Sequence, residues 1–372
     1  MKKKILLMYI SNNSGHHKAS LAIEKALHQR SANVETMNVN SFNYTNPVLE
    51  KIINTTYMSV IRRKPEFWGY LYDNPEIVKK TQRLRDGIHK HNAEKLSNLI
   101  NSFSPHAVVC TQAFPCGMVA DYKKKQNLQL PLFGVLTDYA PHAYWIYDNV
   151  DAYFVPSKEI ATKLTSNGIL SDRIMDTGIP IDSMFNDSKD KAHIFRTLGL
   201  DASKPVVLLM GGSQGVGPLK EAFTSLLRTK TDFQVIVVVG NNKAMHRWFN
   251  KQIKKSRKKL IVYSYVDFVA DLMEIATILI SKPGGITIAE AFAKGLPICI
   301  IKPIPGQEQM NTDYLLANNV AVKIEQPSNT GIIVEELLYN RGKLNELCRK
   351  ARSYAKPDSA DAIASTILNS IS

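Results

Sequence analysis

The sequence predicts an α/β protein made of two similar halves, each built on a mostly parallel sheet. Two observations support this prediction. Short apolar runs alternate with helical stretches, as in ILLMYI, AVVCTQAF and PLFGVLTDY of the first half. A glycine-containing turn follows the first strand of each half, at SNNSGHHK and again at GGSQGVG. The duplication predicts two Rossmann-like domains with a boundary near residue 180.

The composition is that of a globular protein. The 372 residues suffice for two domains, and a hydrophobic content of 44% can supply a core to each. No apolar run approaches the roughly 18 residues of a membrane-spanning helix. We interpret MKKKILLMYI as a first strand rather than a signal peptide, because its apolar part ends at once in a polar turn. The cysteines form no CxxC pair, which predicts reduced core residues in a cytosolic protein; they are Cys110, Cys116, Cys299 and Cys348.

The net charge of +14 indicates an anionic partner, which is a nucleic acid, an acidic membrane face or a nucleotide. Charge alone does not choose among them. The densest basic run, KQIKKSRKK over 251–259, contains no interleaved aromatic residues. We therefore expect a solvated helix face there rather than a nucleic-acid footprint.

Two polar segments of the first half follow predicted strands, at the edge where open α/β sheets bind ligands. In the first, Gly15 precedes His16, whose imidazole can take a proton from an alcohol; a capping or surface histidine is the alternative. The second is predicted to line a substrate cleft, with a capping Asp and a packed Trp as the alternative. Its candidate residues are Thr137, Asp138, Tyr139, His142 and Trp145.

Residues 47–73 combine helical apolar spacing with adjacent basic and aromatic clusters. Aromatic rings at headgroup depth beside cations on anionic lipid favour a membrane-contacting segment. The same periodicity is equally typical of an amphipathic helix packed on the sheet. The candidate membrane contacts are Ile61, Arg62, Arg63, Phe67, Trp68 and Tyr70.

The stretch from Ser281 to Asn311 predicts a strand end, a glycine turn, a helix near 287–294, a buried strand and a second polar loop. Its glycines allow the backbone N–H groups at the helix start to face a phosphate. Glu290, one turn into the helix, is placed for a ribose. The second loop ends in an amide and a carboxylate, Gln307 and Glu308, which suit sugar hydroxyls. An ordinary capped strand-turn-helix unit is the alternative.

With these residues in place, the chain resembles the processive diacylglycerol glucosyltransferases of bacteria and the related monogalactosyldiacylglycerol synthases. Both are GT-B glycosyltransferases akin to the peptidoglycan GlcNAc transferase. The resemblance runs nearly end to end, and its motifs occur in order. They are GHHKAS, VLTDYAPHAYW with NVDAYFVPS, TGIPI, MGGSQGV, KPGGITIAEA and GLPICIIKPIPGQE.

The resemblance implies two Rossmann-like domains facing a central cleft. Residues 1–178 would form the acceptor and membrane-contacting domain, and residues 179–352 the UDP-sugar domain. Residues 353–372 would form a last helix crossing back to the first domain. It also implies His16 as the base, because His16 directly follows the glycine, with the adjacent His17 as the alternative. The first turn departs from the family pattern in having fewer glycines than the plant enzymes have.

The resemblance further assigns the donor site. Glu290 would bind ribose, Gln307 and Glu308 the hexose, and Tyr265 with Val266 the uracil. The phosphates would face two turns, formed by Gly211, Gly212 and Ser213, and by Lys282, Gly284, Gly285 and Thr287.

The implied reaction is transfer of glucose or galactose from a UDP-sugar to diacylglycerol or a glycosylated diacylglycerol, with inversion. No cofactor or metal is expected beyond the UDP-glucose or UDP-galactose donor, and no nucleic acid. The expected location is the cytoplasm, peripheral on the inner face of the cell membrane. The alternatives are transfer to a polyprenyl-linked acceptor and a UDP-sugar sensor with little turnover. The sequence does not decide between glucose and galactose, and it does not indicate the number of sugars added or the oligomeric state.

Overall fold

The structure, a computed structural model, describes residues 2–12, 14–45, 87, 92–141 and 143–371. Over these residues two six-stranded sheets alternate with helices, and every strand pair is parallel. The chain divides into two compact units. One contains 1–183, 305–310 and 356–372, and the other contains 184–304 and 311–355.

The first sheet has the strand order β2-β1-β3-β4-β5-β6. Its strands are β1 (Lys3–Tyr9), β2 (Val34–Asn40), β3 (Ala107–Cys110), β4 (Leu132–Val135), β5 (Ala152–Val155) and β6 (Ile174–Asp176). Its helices are α1 (Gly15–Arg30), α2 (Ser41–Thr45), α3 (Ala113–Gln126) and α4 (Lys158–Ser166), and residues 92–103 are helical as well.

The second sheet has the order β9-β8-β7-β10-β11-β12. Its strands are β7 (Val206–Met210), β8 (Gln234–Val238), β9 (Leu260–Tyr263), β10 (Ile278–Ser281), β11 (Ile298–Ile301) and β12 (Ala321–Ile324). The helices before, between and after them are α5 (Lys191–Leu198), α6 (Leu219–Leu227), α7 (Lys243–Ile253), α8 (Val269–Ile275), α9 (Gly285–Ala293), α10 (Gln307–Ala317), α11 (Thr330–Tyr339) and α12 (Arg341–Ser353).

Each sheet has a point where the strand order reverses. The chain leaves β1 for β2 on one side and places β3 on the other, and it does the same around β7 with β8 and β10. Ligands of open α/β sheets bind outside the carboxyl ends of the strands at such a point. The structure therefore positions one candidate site after β1 and β3, and another after β7 and β10.

Both faces of the first sheet are buried, as a parallel sheet requires. Along β1, Ile5 and Leu7 pack in one apolar cluster, while Leu6 and Met8 pack in another. The alternation follows from the period of two in a strand. The second sheet has its own core of strand residues packed against helices, including Phe223 and Phe249. The four cysteines are free; Cys348 is half-buried and the other three are buried.

The last helix, α13 (Ser359–Ser370), belongs to the first unit. Its apolar side, which includes Ile363 and Ile367, shares a core cluster with Ile23 of α1. Ser359 Oγ donates to the Gly178 carbonyl at 2.8 Å, and Lys356 forms an ion pair with Asp176. The C-terminal segment is thus held by packing and by hydrogen bonds at the end of β6. None of the helices over the described residues is long and apolar enough to cross a bilayer.

Candidate active site

His16 lies in the first turn of α1, at the switch point of the first sheet. Ser14 caps this helix, because its side chain accepts a hydrogen bond from the His17 backbone N–H at 3.2 Å. The cap makes α1 begin at Gly15, earlier than its apolar pattern alone indicates at Ala19. The histidine is therefore fixed on a helix rather than carried by a loop.

The His16 ring is held by two threonines from neighbouring strands. Its Nδ1 lies 3.0 Å from the Thr111 carbonyl oxygen and 2.9 Å from Thr137 Oγ1. Thr111 also donates through Oγ1 to the His16 carbonyl at 2.9 Å. Thr111 follows β3 and Thr137 follows β4, so the parallel strands bring both to the edge where α1 begins. Side chain and backbone of His16 are thus both fixed.

These contacts define which ring nitrogen carries the proton. A carbonyl oxygen only accepts hydrogen bonds, so Nδ1 of His16 donates to Thr111 and the lone pair of the neutral ring lies on Nε2. Burial lowers the pKa of His16 to about 4, and the bond to the Thr111 carbonyl opposes that shift. At neutral pH the ring is uncharged, which is the form that accepts a proton.

His17 has a different environment from His16. Its ring stacks on Tyr9, with ring centroids 4.2 Å apart and an interplanar angle of 15°. Burial lowers the pKa of His17, and the Glu24 carboxylate opposes that shift. The structure therefore distinguishes the adjacent histidines, since one is oriented by two threonine oxygens and the other packs on an aromatic ring.

The predicted cleft residues after β4 have separate environments. Trp145 is 4% exposed and lies in the core cluster of the first sheet, as the packing alternative requires. Tyr139 is buried, and Asp138 is half-buried. The Asp138 carboxylate accepts a hydrogen bond from Gln307 Nε2, which links this segment to the start of α10. The predicted cleft residue His142 lies outside the described residues.

The glycine turn after β7 is a tightly packed loop. Gly215 has a φ of +57°, and a Cβ there would overlap the Val239 carbonyl oxygen. Its N–H donates to the Gly212 carbonyl at 3.1 Å, and the Asn241 N–H donates to the Ser213 carbonyl at 2.8 Å. By contrast, a Cβ at Gly212, with φ +67°, would meet no atom within 4 Å. Gly211 and Gly212 are therefore held in place by the loop, with Gly212 at its exposed surface.

The second glycine turn lies directly beside the first. Met210 and Ser281, the last residues of β7 and β10, are paired in register, so the two turns leave the sheet side by side. Gly284 is the N-cap of α9 and makes no side-chain cap bond, so the first backbone N–H groups of this helix are not capped by the Gly284 position. A Cβ at Gly284 would meet no atom within 4 Å.

The residues around the second glycine turn are held by packing and by a hydrogen bond. Asn311 Nδ2 donates to the Pro283 carbonyl at 2.9 Å, and Asn311 is completely buried. Lys282 and Thr287 are half-buried, while Glu290 on α9 is 5% exposed. The helix begins at Gly285, slightly before the predicted start at Thr287.

The predicted loop before Glu308 requires a correction. Gln307 and Glu308 are the first residues of α10, not loop residues, and both side chains are half-buried. Gly306, with φ +89°, reverses the chain just before them. The carboxylate of Glu308 lies in the first turn of the helix, where the helix dipole favours negative charge.

Tyr265 and Val266, which the resemblance assigns to the uracil, lie on the loop between β9 and α8, just past the end of β9. Tyr265 is 40% exposed, and Val266 is half-buried. Strand β9 is separated from β7 by β8, which places the loop about 10 Å along the sheet from the glycine turn.

Two sequence profiles of known families match the chain in succession. Residues 16–181 match the monogalactosyldiacylglycerol (MGDG) synthase family, and residues 206–364 match the glycosyltransferase family 28 C-terminal domain. The first match begins at His16 itself, and the second spans both glycine turns. Both halves of the chain are thus similar to glycosyltransferases.

Curated relatives of this glycosyltransferase extend over almost its whole length. The processive diacylglycerol beta-glucosyltransferase of Bacillus cereus is 29% identical over 366 residues, covering 98% of this chain and 93% of the relative. That of Bacillus licheniformis is 28% identical over 370 residues, covering 98% and 94%. The resemblance deduced from the ordered motifs is confirmed.

Solved structures confirm the GT-B class of two Rossmann-like domains. MurG of Acinetobacter baumannii superposes with a TM-score of 0.65 at 12% identity, covering 99% of both chains. A UDP-GlcNAc 2-epimerase from Neisseria meningitidis, bound to UDP-GlcNAc, superposes with a TM-score of 0.63 at 13% identity, covering 98% of this chain and 100% of the epimerase. Transferases and epimerases thus share the fold, and the family match selects the transferases.

The site contains residues that sequence reasoning did not single out. Thr111 and Asn311 each fix a candidate segment, Thr111 through the His16 ring and backbone and Asn311 through the Pro283 carbonyl. Their partners are distant in the sequence, so no local pattern could indicate them. The predicted membrane contacts between Ile61 and Tyr70 lie outside the described residues.

Proposed function

We propose that the enzyme transfers glucose or galactose from a UDP-sugar to the hydroxyl of diacylglycerol or a glycosylated diacylglycerol, with inversion. The observation that carries this proposal is the orientation of His16 in the domain that matches the MGDG synthase family. The processive diacylglycerol beta-glucosyltransferases named above support the same class of acceptor.

In this proposal His16 is the general base. Nε2 takes the proton of the acceptor hydroxyl while that oxygen bonds to the anomeric carbon. The bond from the anomeric carbon to the diphosphate oxygen breaks, and UDP leaves with the electron pair. Because the Thr111 carbonyl and Thr137 hydroxyl oxygens face Nδ1, their dipoles favour the imidazolium as it forms.

The second unit supplies the residues that bind the UDP part of the donor. The adjacent turns at Gly211–Ser213 and Lys282–Gly285 present backbone N–H groups to the diphosphate, and Thr287 and Lys282 add polar side chains. Glu290 accepts from the ribose hydroxyls, and the loop of Tyr265 and Val266 contacts the uracil. No cofactor is assigned, because fixed dipoles and Lys282 meet the charge that develops on the leaving UDP.

Gln307 and Glu308 are assigned to the hexose. The Gln307 amide already donates to the Asp138 carboxylate, so Asp138 fixes the direction in which this amide points. Gln307 and Glu308 then present a hydrogen-bond donor and hydrogen-bond acceptors to the sugar hydroxyls. This pairing gives Asp138 an orienting role that its position after β4 alone does not indicate.

The enzyme acts at a membrane in this proposal, because its acceptor is a bilayer lipid. We assign it to the inner face of the cell membrane as a peripheral protein. The net charge of +14 suits an anionic lipid surface. The segment with Ile61, Arg62, Arg63, Phe67, Trp68 and Tyr70 remains the proposed contact; no nucleic acid partner is proposed.

Labelled UDP-glucose and UDP-galactose, each incubated with and without diacylglycerol vesicles, test the function. The proposal predicts UDP release and a labelled glycolipid only when diacylglycerol is present. Transfer to a polyprenyl-linked acceptor but not to diacylglycerol would show that the proposed acceptor is wrong. Tight UDP-sugar binding without turnover would identify a sensor, and lipid-independent conversion of the sugar would identify an epimerase.

A further inference from the structure

One charged surface of the second unit has no role in the donor site described above. Residues 243–259, from α7 into the following turn, contain eight Lys or Arg and no Asp or Glu. Four of these cations, at positions i, i+4, i+8 and i+11 of α7 and the turn that ends it, form what we call the basic stripe. Its members are Lys243, Arg247, Lys251 and Lys254, and all are exposed.

Helix geometry places the basic stripe on one side of α7. At about 100° per residue, the four positions fall within an arc of about 80°. The opposite side carries Phe249, which is fully buried. Trp248, on the flank of the helix, packs edge-on against Phe223 and Phe249. The packing of these rings fixes how the helix is rotated, so the stripe faces outward.

The cations of the stripe have no acidic partner among the described residues. Over the part of the chain that the structure describes, none of the four takes part in an ion pair. Three further exposed cations follow in the turn: Lys255, Arg257 and Lys259. Like charges four residues apart on a helix repel each other. The repulsion therefore lowers the stability of the protein when nothing is bound, and binding of an external anion would relieve it.

The chemistry of the surface distinguishes between anionic partners. The aromatic rings of α7 are the buried Phe249 and the half-buried Trp248, so Trp248 is the one that a nucleic-acid base could approach. Its ring is engaged by protein, including Lys220 Nζ at 5.2 Å from the ring centroid. Ile253 of the same helix is 44% exposed and lies about 80° around the axis from Lys243. Exposed cations and an exposed aliphatic side chain on one helix suit lipid headgroups above hydrocarbon.

We propose that the basic stripe binds anionic phospholipid headgroups and gives the sugar-nucleotide domain its own contact with the bilayer. The contact is separate from the segment near Phe67 in the acceptor domain. It rests on the proposed function in one respect, since a lipid acceptor is what requires the enzyme to stay on a bilayer.

The test is sedimentation with vesicles of phosphatidylcholine containing about 30% phosphatidylglycerol, compared with pure phosphatidylcholine, because anionic lipid gives the vesicle a negative surface potential. The test variant is Arg247→Gln, Lys251→Gln and Lys254→Gln together. At about 1 kcal/mol per cation near an anionic surface, it should bind the charged vesicles about a hundredfold more weakly. Binding should also weaken as salt is raised.

A matched control removes the same charge from the same unit. Arg341, Lys343 and Arg349 of α12 are exposed, and Glu336 pairs with Lys343. Their replacement by Gln should leave vesicle binding within about threefold of the wild type, while pure phosphatidylcholine should bind none of the three proteins strongly.

An equal loss in both variants would show an effect of net charge and overturn the proposal, as would no loss in either. Binding of duplex DNA that depends on the stripe, without vesicle binding, would assign the surface to nucleic acid. Transfer to diacylglycerol in neutral detergent micelles separates the two proposals. If the wild type does not transfer the sugar in these micelles, the proposed function is refuted. Equal transfer rates in the wild type and the test variant show that the substitutions leave catalysis intact, so that a loss of vesicle binding is due to the stripe.

Discussion

The Oγ1 atom of Thr137 lies 2.9 Å from Nδ1 of His16, on the side of the ring opposite the nitrogen that would accept the substrate proton. The Thr111 carbonyl contacts the same Nδ1, so two uncharged oxygens orient the imidazole. A carboxylate in this place would raise the pKa of the ring; these oxygens hold the tautomer while leaving the ring neutral at pH 7.

Thr137→Val tests the orienting role of the hydroxyl. A hydrogen bond to a group that becomes charged contributes about 1.5–3 kcal/mol, so kcat should fall roughly 10- to 100-fold with little change in KM. Thr137→Ser keeps the hydroxyl and should stay within about threefold of the wild type. An equal loss in both variants would show that Thr137 serves packing alone, since it is 4% exposed.

The acid limb of kcat/KM tests the environment of His16. Its pKa is lowered to about 4 in the folded enzyme, so the neutral base is fully present above about pH 5. We expect no loss of kcat/KM between pH 7.5 and 5.5 in the wild type or in the His17→Gln variant, in which only His16 of the two histidines can titrate. An acid limb near 6.5 in the wild type would show that His16 titrates as an ordinary histidine and would contradict the burial argument.

The same shift affects stability. The unfolded chain binds a proton at His16 near pH 6.5, and the folded chain does so only near 4. Between pH 6.5 and 4 the unfolded chain binds more protons at His16 than the folded chain does, so the free energy of unfolding falls as pH is lowered through this window. Measured by urea unfolding, this free energy should fall more for the wild type than for His16→Asn between pH 6.5 and 4.

The glycine loop after β7 allows a test of backbone geometry. Gly212→Ala introduces a Cβ into open space at φ +67° and should cost about 1–2 kcal/mol of unfolding free energy. Gly215→Ala has a similar φ but forces overlap with the Val239 carbonyl oxygen, so it should cost clearly more. Equal midpoints of urea unfolding for the two variants would mean that the loop does not pack as described.

Glu290 and Glu308 separate recognition of the ribose from recognition of the hexose. Glu290→Gln should weaken binding of UDP itself roughly tenfold, measured by calorimetry, because a charged acceptor is lost from a buried position. Glu308→Gln should leave UDP affinity unchanged and weaken only the binding of UDP-hexose. Reversed effects would exchange the two assignments.

The sequence was sufficient for the fold because its signals are local. Buried β-strands such as ICII and glycine turns such as KPGG are each encoded within a few residues, and the order of the family motifs indicates which half is which. The orientation of His16 depends instead on Thr111 and Thr137, residues that only the sheet brings to α1. The Gln307 to Asp138 bond is of the same kind. The predicted polar loop ends earlier than expected, because α10 begins at Gln307.

The most direct test of the catalytic account is transfer from labelled UDP-glucose or UDP-galactose to diacylglycerol by His16→Ala and His17→Ala, measured beside the wild type. Loss of a general base should lower kcat about 10²- to 10⁴-fold in His16→Ala, while the variant remains folded at neutral pH and keeps its UDP affinity. His17→Ala, which removes a ring stacked on Tyr9, should keep activity within about tenfold. Near wild-type transfer by His16→Ala would contradict the account.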